Sequence, residues 1–311
     1  MDRPIRIGTR KSRLALAQSG MVRDAIARTL GAAPGEEERF AVLVPIVTEG
    51  DRIQDRRLME IGGKALFTRE LEECLQDGRL DLAVHSMKDV PADMPGGLAI
   101  VAMPEREDPR DAFLGRAARR LTDLPQGARL GTASLRRQAQ ALALRPDLAI
   151  EMLRGNVDTR LRRLAEGEFD AILLATAGLS RLGLSEAIHE RLSLDDFPPA
   201  PGQGALALQA RLDLADADWL VAQDHAPTRL AVEAERGAMA VLEGSCRTAV
   251  AAFGVMSGDD LTLTVEWLSP DGRRRVRRVG TTAVADGEQA RAFGLDLGAR
   301  VRAEVGADLV P

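Results

Sequence analysis

The chain has no tyrosine, two tryptophans and seven phenylalanines, so aromatics make up only 3% of its 311 residues. Stacking platforms for bases are scarce, and no nucleic-acid partner is expected. Its two cysteines, Cys74 and Cys246, lie too far apart for a disulfide framework. Together with three histidines they show no metal-ligand spacing, so no metal is expected. No run approaches the about 18 apolar residues of a membrane span. The opening Met1-Asp2-Arg3-Pro4-Ile5-Arg6 lacks a signal-peptide core. The expectation is a cytoplasmic protein with reduced thiols and no membrane partner. Nucleotide cradles are missing too. Gly62-Gly63-Lys64 lacks the spaced glycine and following hydroxyl of a P-loop, and no G-x-G-x-x-G follows a strand.

Lysine is nearly absent as well: of 42 basic residues only Lys11, Lys64 and Lys88 are not arginine. Each sits among short polar residues or glycine, where a compact ammonium on a flexible stem differs in kind from a planar fork. Arginine itself is unevenly placed. From Gln126 to Arg163 eight arginines face three acids, a local charge of +5 inside a chain of net charge −5. Small polyanions suit such a segment better than nucleic acid does. With 45% hydrophobic and 29% charged residues the chain is otherwise an ordinary globular one, long enough for two or three domains.

Short apolar runs alternate with helical patterns, which indicates α/β layering. Strands are expected at Arg3–Gly8, Phe40–Thr48, Leu80–His85 and Leu98–Met103, with helices at Ser12–Leu30 and Phe67–Asp77. Glu49–Ala65 reads as a mobile polar loop. Pro104 and Pro109 mark a crossing to a second unit, with strands Arg129–Gly131, Leu148–Leu153 and Ala171–Ala175 and helices Leu135–Leu144 and Thr159–Glu166. Pro198–Gly204 marks a crossing back, followed by strand Ala205–Gln209. A helix at Thr228–Leu242, antiparallel strands Ala249–Val255, Leu261–Leu268 and Arg274–Thr281, and a last helix Gly287–Val305 form a third unit. The expected domains are 1–104 with 205–222, then 105–204, then 223–311.

Three loops lead into helices with hydroxyls and basic groups at the turn: Thr9–Ser12, Gly131–Arg137 and Arg154–Arg160. Helix N-termini offer unpaired N–H groups to carboxylates or phosphates, and adjacent arginines add bidentate clamps. A simply capped helix is the alternative for each. Asp89, in His85-Ser86-Met87-Lys88-Asp89, follows a buried strand at the sheet edge where α/β proteins bind ligands. Asp89 suits a carboxylate that faces an arginine-rich cleft, is held ionised there and stabilises a cation or exchanges a proton, or else a surface pair with Lys88. His85 is expected to be a satisfied core histidine and Cys74 a buried small hydrophobe. Cys246, in a glycine-containing turn beside Arg247, is either an attachment point or nucleophile or an inert thiol.

Taken in order, Gly62–Phe67 (GGKALF), Ala83–Pro91 (AVHSMKDVP), Arg106–Phe113 (REDPRDAF), Gly131–Gln138 (GTASLRRQ), Arg154–Arg160 (RGNVDTR), Pro201–Ala205 (PGQGA) and Glu243–Cys246 (EGSC) resemble the porphobilinogen deaminase family. The resemblance implies two periplasmic-binding-protein-like α/β domains with a cleft between them, plus a smaller C-terminal α+β domain. It implies a covalent dipyrromethane primer on Cys246, on which four porphobilinogens are deaminated and joined head to tail. Hydroxymethylbilane and ammonia are the products. Asp89 falls on the family's catalytic aspartate. Arg10, Ser12, Lys88, Ser134, Arg136, Arg137, Arg154, Arg160 and Arg181 fall on groups that hold acetate and propionate chains. Gln18, Phe67, Ser86 and Gln203 match further residues of the site, and a monomer is implied. Glu60, Ala65, Ala133 and Ser245 depart from the family's usual residues. A competing reading is a non-catalytic two-domain binder or sensor for a small polycarboxylate, which would need neither Asp89 nor Cys246.

Overall fold

A computed structural model describes residues 3–52, 67–91, 93–242 and 248–306. Packing divides the chain into two compact units. The first takes the described residues of 3–106 and 205–229, the second those of 107–204 and 230–306.

In the first unit strand β1 (Ile5–Arg10) runs into helix α1 (Arg13–Thr29), and β2 (Ala41–Ile46) lies parallel beside β1. Helix α2 (Arg69–Gln76) precedes β3 (Leu82–Ser86), which pairs in parallel with the other side of β1. β4 (Leu98–Ala102) closes the sheet. Residues 49–52, read as loop, form a short helix, and the rest of that loop lies outside the described residues.

The second unit contains β5 (Asp111–Gly115), β6 (Arg129–Gly131), helix α3 (Leu135–Leu144), β7 (Ala149–Glu151), helix α4 (Val157–Ala165), β8 (Ala171–Ala175), helix α5 (Thr176–Arg181) and β9 (Glu190–Arg191). Its sheet order is β7-β6-β8-β5-β9, with β5 antiparallel to both neighbours. β10 (Leu206–Arg211) lies in the first sheet, whose order is β2-β1-β3-β10-β4, again with the fourth strand antiparallel to both neighbours. The two sheets therefore share one topology. In each, three parallel strands are followed by one that enters directly after a crossing of the chain.

Helix α6 (Ala226–Val241), the meander β11 (Ala249–Ser257), β12 (Asp260–Leu268) and β13 (Arg275–Ala283), and helix α7 (Gly287–Val305) complete the chain. One apolar cluster joins Ala234 and Ala238 of α6, Leu263 and Trp267 of β12, and Leu297 and Val301 of α7. The helices meet where Gly294 has no side chain: a Cβ there would stand 1.9 Å from the Ala234 carbonyl oxygen. The mixed α/β class expected from the sequence is present, with its smaller helix-backed C-terminal sheet. Among the described residues no helix is long and apolar enough to cross a membrane.

Candidate functional site

The carboxyl ends of the central strands carry most of the residues singled out in the sequence. In the first unit β1 ends in Arg10, whose guanidinium stacks over the Phe67 ring at 4.1 Å. Ser12 then caps α1, its Oγ accepting from the Ala15 N–H at 3.2 Å. One turn into that helix, buried Gln18 donates from Nε2 to Ser86 Oγ at 3.2 Å, tying α1 to the end of β3. β3 is buried from Leu82 to His85 and then breaks into a tight turn, Met87–Asp89, held by the Met87 N–H on the Ala205 carbonyl at 3.0 Å. Met87 fills the core while Lys88 and Asp89 are exposed. Asp89 is thus presented outward at the end of β3, while Met87 is the residue of the turn that packs inward.

His85 is a satisfied core histidine. Its Nε2 lies 2.9 Å from Gln209 Oε1, and Gln209 Nε2 donates to Glu72 Oε1 at 3.1 Å. A carboxylate only accepts, so the amide nitrogen faces Glu72 and the amide oxygen faces His85, which fixes the Nε2–H tautomer. Burial pulls the imidazole down to about 4, so it is neutral at pH 7.

In the second unit the chemistry is ionic and buried. Arg136 and Arg137 open α3 and are almost fully covered. Both converge on Asp111 at the start of β5. Arg136 donates from Nη1 to Asp111 Oδ2 at 2.7 Å, and Arg137 from Nη2 to Oδ1 at 2.8 Å. Gln203 Nε2 adds a bond to the same Oδ1 at 2.8 Å. Burial alone would raise the Asp111 carboxyl, but the two guanidinium groups overcome it and hold it well below the usual carboxylate range. Sequence reasoning passed over Asp111. The available signal was an acid opening the short apolar run Asp111-Ala112-Phe113-Leu114-Gly115, in a chain whose arginines are clustered.

Ser134 and Asn156 cap α3 and α4, accepting from the Arg137 N–H at 3.4 Å and the Thr159 N–H at 2.8 Å. All three anion-type turns are therefore capped helix starts as well. Arg160 donates from Nε to the Gly155 carbonyl at 2.7 Å. Arg181, the last residue of α5, donates from Nη2 to the Gly204 carbonyl at 2.6 Å. Burial pulls its guanidinium below the ordinary value, and Glu107 opposes that. Four buried guanidinium nitrogens have no hydrogen-bond acceptor among the described residues: Arg136 Nε, Arg154 Nη1, Arg181 Nε and Arg277 Nη2. The last is ion-paired with Glu266 at 2.5 Å. A buried N–H without an acceptor is costly, so the first three point to an anion that completes them.

Cys74 is buried on α2, and burial raises its thiol above the ordinary value. Cys246, Arg247, Glu60, Lys64, Ala65 and Ser245 lie outside the described residues. Among the described residues no group of His, Cys, Asp and Glu is placed to hold a metal ion.

Two family models match the chain: "Porphobilinogen deaminase, dipyromethane cofactor binding domain" over residues 5–218 and "Porphobilinogen deaminase, C-terminal domain" over residues 229–303. The curated relative called porphobilinogen deaminase in Caulobacter sp. (strain K31) is 60% identical over 311 residues, spanning 99% of this chain and 98% of its own. Its namesake in Phenylobacterium zucineum (strain HLK1) is 56% identical over 313 residues, spanning 98% of each. Solved structures with some likeness include an ABC-transporter periplasmic substrate-binding protein from Coxiella burnetii, at TM-score 0.43 and 16% identity over 72% of this chain and 93% of that one. The periplasmic aliphatic sulphonate binding protein from Escherichia coli scores 0.41 at 16% identity, over 76% and 69% of the two chains.

Proposed function

We infer the roles of the site residues from one premise: this chain belongs to the porphobilinogen deaminase family. It is a transferase of tetrapyrrole biosynthesis. It deaminates porphobilinogen and joins four units head to tail on a dipyrromethane primer, releasing hydroxymethylbilane and ammonia. The non-catalytic binder is not favoured by any observation.

The buried guanidinium N–H groups of Arg136, Arg154 and Arg181 carry the assignment of the anion cradle. Each pyrrole brings two carboxylates, so a two-ring primer brings four, and the residues present fit it. Arg136, Arg137, Arg154, Arg160 and Arg181 would hold those carboxylates by charge-assisted bonds. Arg10, Ser12 and Lys88 would hold acetate and propionate chains, and Ser134 and Gln203 hold the cradle's geometry. Gln18 and Ser86 hold the turn that presents Asp89, and Phe67 braces Arg10 through its ring face. When bound, dipyrromethane supplies the electron-rich pyrrole carbon on which the chain grows. Cys246 would anchor it through a thioether, since a soft thiolate is suited to capturing an electrophilic methylene. Asp89 stabilises the positive charge that develops on porphobilinogen at that departure, and no protein nucleophile is needed for elongation.

The three-domain division at 1–104 with 205–222, 105–204 and 223–311 belongs to this reading. Three separate sheets and the gap between the two family matches support it. A cytoplasmic monomer does too, checked by light scattering. The decisive experiment compares wild type, Cys246→Ser and Cys74→Ala by intact mass. The adduct should be present in wild type and Cys74→Ala and missing from Cys246→Ser. An adduct that survives Cys246→Ser, or vanishes only in Cys74→Ala, overturns the attachment.

A further inference from the structure

Two neighbouring arginines buried at one helix start demand a counter-charge, and in this fold a single carboxylate meets both. Asp111 is fully buried, and its two oxygens accept from Arg136 Nη1 (2.7 Å) and Nη2 (3.3 Å), Arg137 Nε (3.0 Å) and Nη2 (2.8 Å), and Gln203 Nε2 (2.8 Å). Further acceptors fix the two forks from the other side. Arg137 Nη1 donates to the Leu173 carbonyl at 3.1 Å, and Arg136 Nη1 to Gln140 Oε1 at 2.9 Å and the Pro198 carbonyl at 3.0 Å. Two other buried acids stand close by. Glu266 is linked to this group through Gln140, at 3.2 Å, and is itself paired with Arg275 at 3.3 Å and Arg277 at 2.7 Å. Glu235 accepts from the Gly202 N–H at 2.7 Å, beside Gln203, and from the Gly254 N–H at 2.8 Å. Two guanidinium charges against one carboxylate leave the cluster with a buried excess of +1. Arg136 Nε is the donor that finds no acceptor among the described residues.

A buried cation of that kind is tolerated only when something pairs it. Were the cluster purely structural, a second acid or an apolar residue in place of one arginine would balance it at no loss. The imbalance and the orphaned donor together mark the cluster as the inner wall of an anion site. We propose that Asp111 is a positioning residue of the primer cradle. It sets the planes of the Arg136 and Arg137 forks and cancels one of their two charges, so that one primer carboxylate completes the cluster. The proposal rests on the reading of Arg136 and Arg137 as cradle residues. It adds that the cradle's selectivity for a carboxylate is set by a third residue that need not touch the ligand.

The test is the fraction of full-length protein carrying the covalent adduct, read by intact mass on the monodisperse folded fraction. Thermal melting is followed alongside for wild type, Asp111→Asn, Asp111→Glu, Arg136→Leu and Arg137→Leu. Asp111→Asn leaves two unbalanced guanidinium groups with one acceptor oxygen, and its loaded fraction should fall at least tenfold. Asp111→Glu keeps the charge and hence the fold but moves it by one methylene, so loading should fall severalfold with a melting temperature close to wild type. A structural role lowers melting temperature without changing the loading of whatever folds. Wild-type loading of folded Asp111→Asn, or of Asp111→Glu should Asp111→Asn not fold, overturns the proposal. The two arginine variants separate it from the reading it rests on. If they also load fully, the cradle is elsewhere; if they are apoprotein while the Asp111 variants load normally, only the positioning role fails.

Discussion

The two five-stranded sheets have the same strand order and the same antiparallel fourth strand, yet they treat charge in opposite ways. In the first, a hydrogen-bonded relay from Glu72 through Gln209 to the neutral His85 is buried beneath the sheet's carboxyl end, and the acid at the turn, Asp89, is left in water. In the second, an acid and two arginines are buried together at the matching end, with Asp111 on the fourth strand and the arginines on the helix after β6. Topology therefore does not dictate chemistry; it only dictates where side chains can converge. A turn that presents an exposed carboxylate suits transient charge on a substrate that comes and goes. A buried, preorganised pair of forks suits a group held for many turnovers.

That contrast breaks most visibly at Asp89. Asparagine keeps size and an acceptor but removes the charge that offsets the developing cation. Deleting an electrostatic stabiliser of this type costs about 3–4 kcal/mol, or about 10²–10³-fold in rate. Asp89→Asn should therefore retain its adduct while single-turnover porphobilinogen consumption slows by that factor. Asp89→Glu, with the charge displaced by one methylene, should keep partial activity. A fully loaded Asp89→Asn protein that couples at the wild-type rate would make the carboxylate structural. It would also leave the first sheet's end without chemistry.

The buried histidine of that relay gives the next largest effect, and it acts on stability. An unfolded histidine titrates near 6.5, whereas native His85 does so at about 4. Between those values the unfolded chain binds a proton that the native site refuses, so stability falls as pH drops through the window. The loss from pH 7 to 4.5 is about 2–3 kcal/mol. Asp81 and Asp111 are held below the usual carboxylate range by their arginine partners, against the burial that would raise them, and they act in the same direction but in a lower window. Their contribution is present above about pH 4 and is lost only below it. Urea midpoints at pH 7 and 4.5 should thus converge in His85→Gln, which retains a donor for Gln209. Unchanged pH dependence in that variant would show that the relay is not the sensitive element.

How much of this was legible beforehand follows the same division. Helices Leu135–Leu144 and Gly287–Val305 and strands Arg129–Gly131 and Ala171–Ala175 match their expected bounds, because each shows its period or its short apolar run with a clear cap or turn. Ser12, the first residue of the expected helix, caps α1. β5 was missed: a five-residue run that begins with a charged residue and follows Pro109-Arg110 looks like a loop, and only a partner distant in sequence makes Asp111 a core residue. α5 is too short to show a period. The polar residues of the site were legible as motifs, but their burial was not. A motif names groups, while which of them turn inward depends on what packs behind. Met87 turns inward where Lys88 and Asp89 turn outward, and Arg136 and Arg137 lie deeper than a surface clamp would.

The smallest effect sharpens the comparison at the helix starts, where both units use one device. Ser12, Ser134 and Asn156 each accept a backbone N–H three residues on, at 3.2, 3.4 and 2.8 Å. Replacing such a cap by alanine costs about 1 kcal/mol on average, and the cost should track how good the bond is. Asn156→Ala should therefore lower stability by about 1 kcal/mol, Ser12→Ala by somewhat less, and Ser134→Ala least. Arg137 is drawn toward Asp111, so its N–H reaches the Ser134 hydroxyl only at the long end of hydrogen-bond range. The cap uses the serine oxygen as acceptor, so the hydroxyl proton can still be donated to a ligand carboxylate. Chemical-denaturant midpoints for the three alanine variants give the stability order, and intact mass gives the loaded fraction of each. If Ser134→Ala is the most destabilising of the three, its hydroxyl works as a cap like the others. The second unit's helix start then differs from the first only in its arginines.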